Sequence, residues 1–106
     1  MDKLDEIFRM QRELQKKLGT DTTAQTFRTE MTLAAVIELG EMLQETPWKS
    51  WKKSATYERD KAIAEWADAL HFFINIGLSL GLDSNAAFTA YARKNKINHQ
   101  RHDDGY

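Results

Sequence analysis

The chain reads as an all-α fold of four helices, bundle-like in architecture. Three observations predict it. With 106 residues, 42% hydrophobic content and only five Gly and one Pro, there is little material for the turns of a β fold. Apolar residues recur at helical spacing along most of the chain. The breaks between those stretches coincide with Gly19, Pro47 and Gly81. A length of 106 residues suits one domain, so residues 1–106 are taken as a single unit.

Leu4, Ile7, Phe8, Leu14 and Leu18 define a first amphipathic helix from about residue 2 to 18, closed by Gly19. Thr22, followed three residues later by Gln25, fits a capping box for a second helix running to about Glu45, where Thr46-Pro47 stops it. Residues 48–56 (WKSWKKSAT) form a basic, aromatic connector without periodicity. A third helix spans about Tyr57 to Leu80, ending at Gly81. Asp83 or Ser84 can cap a fourth, which continues to about Asn98, and the tail RHDDGY has no visible local structure.

Charge and composition exclude several functions. Fifteen Lys and Arg against 16 Asp and Glu leave a net charge of -1, so no broad basic field exists to hold nucleic acid. The absence of cysteine removes disulfides, thiolate ligands and a Cys nucleophile together. The opening MDKLDEIFRMQRELQKK lacks the apolar run of a secretory signal, and no stretch approaches the roughly 20 apolar residues of a membrane span. A soluble, cytoplasmic protein without a membrane partner is expected.

The acids of the two central helices are out of place. Between Met31 and Leu43 the only charged residues are Glu38 and Glu41, and i, i+3 spacing puts both on one face. The helix around them is apolar nearly all round, which predicts burial on every side. Between Ala62 and Leu78, Glu65, Asp68, His71 and Asn75 fall within an arc of roughly 120°, with Phe72 among them. Such pairs are common on solvated surfaces, but two pairs on two otherwise apolar helices are not. If the helices are antiparallel neighbours, the four carboxylates meet, and their repulsion demands a cation. Oxygen ligands alone select a hard ion, Mg²⁺ or Mn²⁺.

A second polar face lies near the C-terminus. Tyr91, Lys94, Asn95, Asn98, Arg101 and His102 share an arc of roughly 120° if the helix continues, offering cations and neutral donors suited to phosphate oxygens. Lys and Arg in a last turn also complement the helix dipole, so this stripe gains meaning only beside the acids. Trp48 and Trp51 either plug the bundle's end or stack against a base, with Lys49, Lys52 or Lys53 near phosphate. His71 fits either a site or a satisfied core position.

E38-x-x-E41, followed after 23 residues by E65-x-x-D68, resembles the signature of the all-α nucleotide pyrophosphohydrolases, which include the MazG-type enzymes and the dimeric dUTPases. PWKSWK at 47–52, DALHFF at 68–73, the segment from Tyr91 to Tyr106 and MQREL at 10–14 are similar to the dimeric dUTPase pattern in particular. That resemblance implies Mg²⁺-dependent hydrolysis of dUTP to dUMP and pyrophosphate. It makes Glu38, Glu41, Glu65 and Asp68 the metal ligands, with Glu38 activating the water. It places Lys94, Asn98, Arg101 and Tyr106 on the phosphates, Gln11 at the uracil edge, the Trp pair near the base, and His71 and Phe72 near the deoxyribose. Gln15 stands where the family often carries Asn or Asp. A MazG-like hydrolase of broader base range and a non-catalytic helical interaction module are the alternatives. The apolar surface of the central helices exceeds what so short a chain can cover, so a homodimer or dimer of dimers is expected.

Overall fold

The computed structural model describes residues 1–105. Four helices are present and no strand is found among the described residues: α1 (Lys3–Leu18), α2 (Gln25–Gln44), α3 (Arg59–Ser79) and α4 (Ser84–Asp103). The all-α expectation holds, and the tail expectation does not. Instead of stopping near Asn98, α4 runs to Asp103. Nothing in the added turn breaks a helix, Arg101 and His102 in the last turn complement its dipole, and the break comes at Gly105 with φ +80°.

Local chemistry sets the helix ends. The Asp2 carboxylate accepts from the Asp5 N–H at 2.9 Å, and the Asp5 carboxylate accepts from the Asp2 N–H at 3.2 Å, a reciprocal capping box at the start of α1. Gly19 closes α1 in the left-handed region at φ 70°. The capping box expected from Thr22 and Gln25 is not formed, and Ala24 occupies the N-cap of α2 with no side-chain bond. Asp21 accounts for the difference. As a charged acceptor it takes both the Thr23 N–H at 3.0 Å and the Thr23 hydroxyl at 2.6 Å, committing the turn to a different local network. At α4 the expected Asp83 cap is present, accepting from the Ala86 N–H at 2.8 Å.

The packed heart of the molecule is the α2–α3 pair. Its pairings run in opposite senses along the two helices: Arg28 meets Ser79, Met31 meets Asn75, and the Glu45 carbonyl accepts from the Glu58 N–H at 2.8 Å. The two helices are therefore antiparallel, as the acid pairs require. Helix α1 lies against α3 through Phe8, whose ring approaches Gly77. Helix α4 joins at its N-terminal end, where the Ser84 hydroxyl donates to Asp5 of α1.

The core is small, with Phe8, Phe27, Ala35, Ala62, Ala69 and Ile74 as its buried apolar members. Burial on every side, expected for α2, is not reached within one chain, because α3 is its principal neighbour. Val36 is 63% exposed, Ile37 59%, Trp66 54% and Phe73 65%. From Phe88 to Gly105 every described residue of α4 and its cap is exposed. The radius of gyration is 17.0 Å, where a compact chain of this length measures about 13 Å.

Candidate active site

Antiparallel packing of α2 on α3 carries Glu38 over Glu65 and Asp68. One carboxylate oxygen of each lies within 4.8 Å of the others. Glu38 and Glu65 are half-buried, whereas Asp68 is exposed. Glu41, one turn along α2 on the same face, is also exposed and stands outside this close trio. Its charge still reaches Glu38. No ion pair joins any of the four acids to a Lys or Arg among the described residues.

The consequence falls on Glu38. Its Oε2 is sealed from solvent and has no hydrogen-bond donor. The neighbouring Glu65 carboxylate, which favours a proton held between the two side chains, is the largest reason the Glu38 pKa is pushed up from 4.5 to about 7. Partial burial and the charges of Glu41, Glu65 and Asp68 add to the shift. An orphaned carboxylate oxygen among further carboxylates, with no cationic side chain to balance them, is a donor set that fits a hard divalent ion.

Other predicted residues are distributed along α3 and beyond it. Gln11 is 5% exposed, and its Nε2 donates to Asn75 Oδ1 at 2.8 Å. Asn75 in turn donates to the Met31 sulfur at 3.3 Å, so the last member of the α3 polar stripe is held between Gln11 of α1 and Met31 of α2 rather than joining the acids. Gln11 and His71 line one small cleft with Ile7, Met10, Leu70 and Ile74. His71 is exposed, its Nδ1 2.7 Å from the Ala67 carbonyl, and Phe72 is half-buried. In the connector, Trp48 and Trp51 meet edge to face with centroids 5.9 Å apart, and Lys49 sits 5.3 Å from the Trp48 ring. Trp48, Lys49 and Lys52 line a cleft with Gln44 and Thr46, from which the 72%-exposed Trp51 is absent.

Within one chain the expected phosphate-binding residues do not reach the acids. Lys94, Asn95, Asn98 and Arg101 are exposed on the part of α4 beyond Phe88, and α4 meets the rest of the chain chiefly at its N-terminal end, on α1. Tyr91 instead borders an apolar groove with Leu4, Phe8, Phe73 and Phe88. Tyr106 lies outside the described residues. The contacts that sequence reasoning missed are Asn75 with Gln11 and Arg28 with Ser79, which are separated by 64 and 51 positions and carry no local spacing signal.

A family model described as dUTPase matches residues 3–89, from the start of α1 into α4 and across both acid pairs. The chain belongs to the all-α dUTPase family. The matched region of this dUTPase-family chain ends before Lys94, so the basic part of α4 lies beyond it. Among characterised relatives, a protein named dCTP pyrophosphatase from Enterobacteria phage T4 is 30% identical over 92 residues, covering 76% of this chain and 54% of that protein. A second dCTP pyrophosphatase, from Enterobacteria phage LZ5, is 33% identical over 79 residues, covering 63% and 46%. The chain thus spans about half the length of the curated relatives it matches. No solved structure matches it. Family membership makes this a nucleotide pyrophosphohydrolase-type fold, and among the described residues no helix is long and apolar enough to cross a membrane.

Proposed function

We propose that the chain is a Mg²⁺-dependent pyrophosphohydrolase that cleaves a pyrimidine deoxynucleoside triphosphate between its α and β phosphates, giving the monophosphate and pyrophosphate. The observation that carries this reading is the sealed, unpartnered Glu38 Oε2 beside the carboxylates of Glu65 and Asp68. Glu38, Glu65 and Asp68 would hold the ion, with Glu41, one turn along α2 on the same face, as the fourth ligand. When bound, the ion supplies the positive charge that draws the triphosphate in and lowers the pKa of a nearby water; Mn²⁺ satisfies the same ligands.

Glu38 is the proton acceptor. A general base must lie within reach of the water's proton, and Glu38 lies within 4.8 Å of the Glu65 and Asp68 carboxylates that would hold the ion. Its carboxylate takes the proton of the attacking water as the water oxygen bonds to phosphorus and pyrophosphate departs. Lys94, Asn95, Asn98, Arg101 and Tyr106 supply donors to the phosphate oxygens. Trp48 and Trp51 lie near the base, Lys52 and Tyr91 join the phosphate side, Phe72 lies near the deoxyribose, and Gln11 with His71 addresses base and sugar.

Homodimerisation, or a dimer of dimers, completes this site. The exposed apolar faces of α2 and α3 need a cover, and the basic face of α4 needs an acid centre that its own chain does not present to it. A second copy supplies both.

For the base, the dimeric dUTPase motifs favour dUTP, whereas the names of the phage relatives favour dCTP. Pyrophosphate release from dUTP, dCTP, dTTP and UTP, with Mg²⁺ and with EDTA, decides between them. The expected result is Mg²⁺-dependent release from dUTP or dCTP and little from UTP. Equal rates on all four would support a broad MazG-like hydrolase, and no release from any would leave a helical interaction module.

A further inference from the structure

A cleft of about 480 Å³ opens between the C-terminal half of α1, the turn that follows it and the end of α3. Arg12, Gln15, Lys16, Thr20 and Thr22 provide its polar wall, and Leu78 and Leu82 part of its floor. It is separate from the acid centre. Leu78 is ten residues beyond Asp68 on α3, roughly 15 Å along the helix axis. Arg12 and Lys16 also project from the flank of α1 opposite Ile7 and Met10, which border the Gln11–His71 cleft.

Every polar group on this wall lacks a side-chain partner among the described residues. Neither Arg12 nor Lys16 forms an ion pair, since the salt bridges of α1 run from Arg9 to Glu6 and Glu13. The hydroxyls of Thr20 and Thr22 make no hydrogen bond. Asp21, the acid between them, does not line the cleft, and its carboxylate is engaged by Thr23. Most telling is Gln15. It is only 6% exposed, yet its amide has no partner, and neither amide atom is sealed, so the exposure it retains opens into the cleft.

Helix-dipole complementarity explains a Lys in the last turn of α1. It does not explain the idle amide or the paired hydroxyls. We infer that this cleft binds a small phosphate-type oxyanion at a site distinct from the acid centre. Arg12 offers a bidentate fork, Lys16 a point charge, and Gln15 Nε2 with the two hydroxyls neutral donors, while no carboxylate opposes the ligand.

The test is a thermal-shift titration of the whole chain in EDTA, with sodium pyrophosphate and sodium phosphate as separate arms and sodium chloride at matched ionic strength. EDTA keeps the acid centre from recruiting the anion through a divalent ion. A saturable rise in Tm with pyrophosphate, phosphate or both, absent with chloride, is expected, and the tighter arm names the ligand. Arg12→Gln and Lys16→Gln, both at exposed positions, should each weaken apparent affinity roughly ten-fold. Gln15→Leu should weaken it without altering charge, and Glu65→Gln should leave it unchanged. An equal rise with chloride overturns the site. So does a rise that survives the Arg12→Gln/Lys16→Gln pair, or one that disappears with Lys94→Ala/Arg101→Ala instead.

Discussion

Glu38 concentrates the electrostatic tension of the fold. Its folded-state pKa, near 7, lies above the ordinary 4.5, so the folded metal-free chain holds a proton that the unfolded chain releases earlier. The sign follows from that order: the contribution to stability is complete below about pH 4.5 and is lost as pH rises through about 7. The Tm of the protein in EDTA should therefore fall across this window. Mg²⁺ competes with the same proton, so the Tm gain it gives should be larger at pH 8 than at pH 6, as differential scanning calorimetry would show. Glu38→Gln keeps the shape and removes the charge. It should lower pyrophosphate release by roughly 10²–10⁴-fold while the EDTA-state Tm at pH 8 stays level or rises. An active variant would remove Glu38 from the role of base. The acids were legible in the sequence because a charge on an apolar helix is conspicuous wherever the helix packs. The pairing of Gln11 with Asn75 was not, since it depends on how α1 crosses α3, and no periodicity encodes that angle.

At the scale of the helices, order and type follow from local signals. Asp2 and Asp83 start their helices through carboxylate caps, and Gly19 and Gly81 follow the ends of theirs at positive φ, which the missing Cβ permits. Structure departs from local pattern where two signals compete, as with Asp21 against Thr22, or where a polar segment keeps helical geometry, as with residues 99–103. The α1–α3 and α2–α3 junctions rest on polar ties as well as on apolar burial. Asn75→Leu would leave the buried Gln11 amide without its acceptor and should cost about 1–3 kcal/mol in urea unfolding. Arg28 ties the start of α2 to the end of α3, donating to the Ser79 hydroxyl at 3.1 Å and its carbonyl at 2.9 Å. Arg28→Ala should reduce stability with helix content unchanged by circular dichroism.

The whole molecule has more apolar surface than a lone chain of this size comfortably leaves in water. Leu39, Trp66 and Phe73 border one open groove with Ala35, Ala69 and Leu70, and each of those three large side chains is close to half exposed or more. Under the proposed dimer, Phe73→Lys should shift light-scattering mass to that of one chain and lower Tm together. An unchanged mass would put the interface elsewhere. The nearly all-round apolar pattern of the two central helices already pointed to this surplus, because it can be read along the sequence. Which side chains remain uncovered is a property of packing and became visible only in three dimensions.

The outstretched α4 has a genetic corollary. If the arm of each copy serves the neighbouring copy's reaction centre, two inactive proteins can repair one another. Mix chains carrying Glu38→Gln with chains carrying Lys94→Ala/Arg101→Ala, let them exchange, and half of the pairs are hybrids. In every hybrid one centre combines intact acids with an intact arm, so about a quarter of the original turnover should return. An arm that folds back onto its own chain would give no rescue at all.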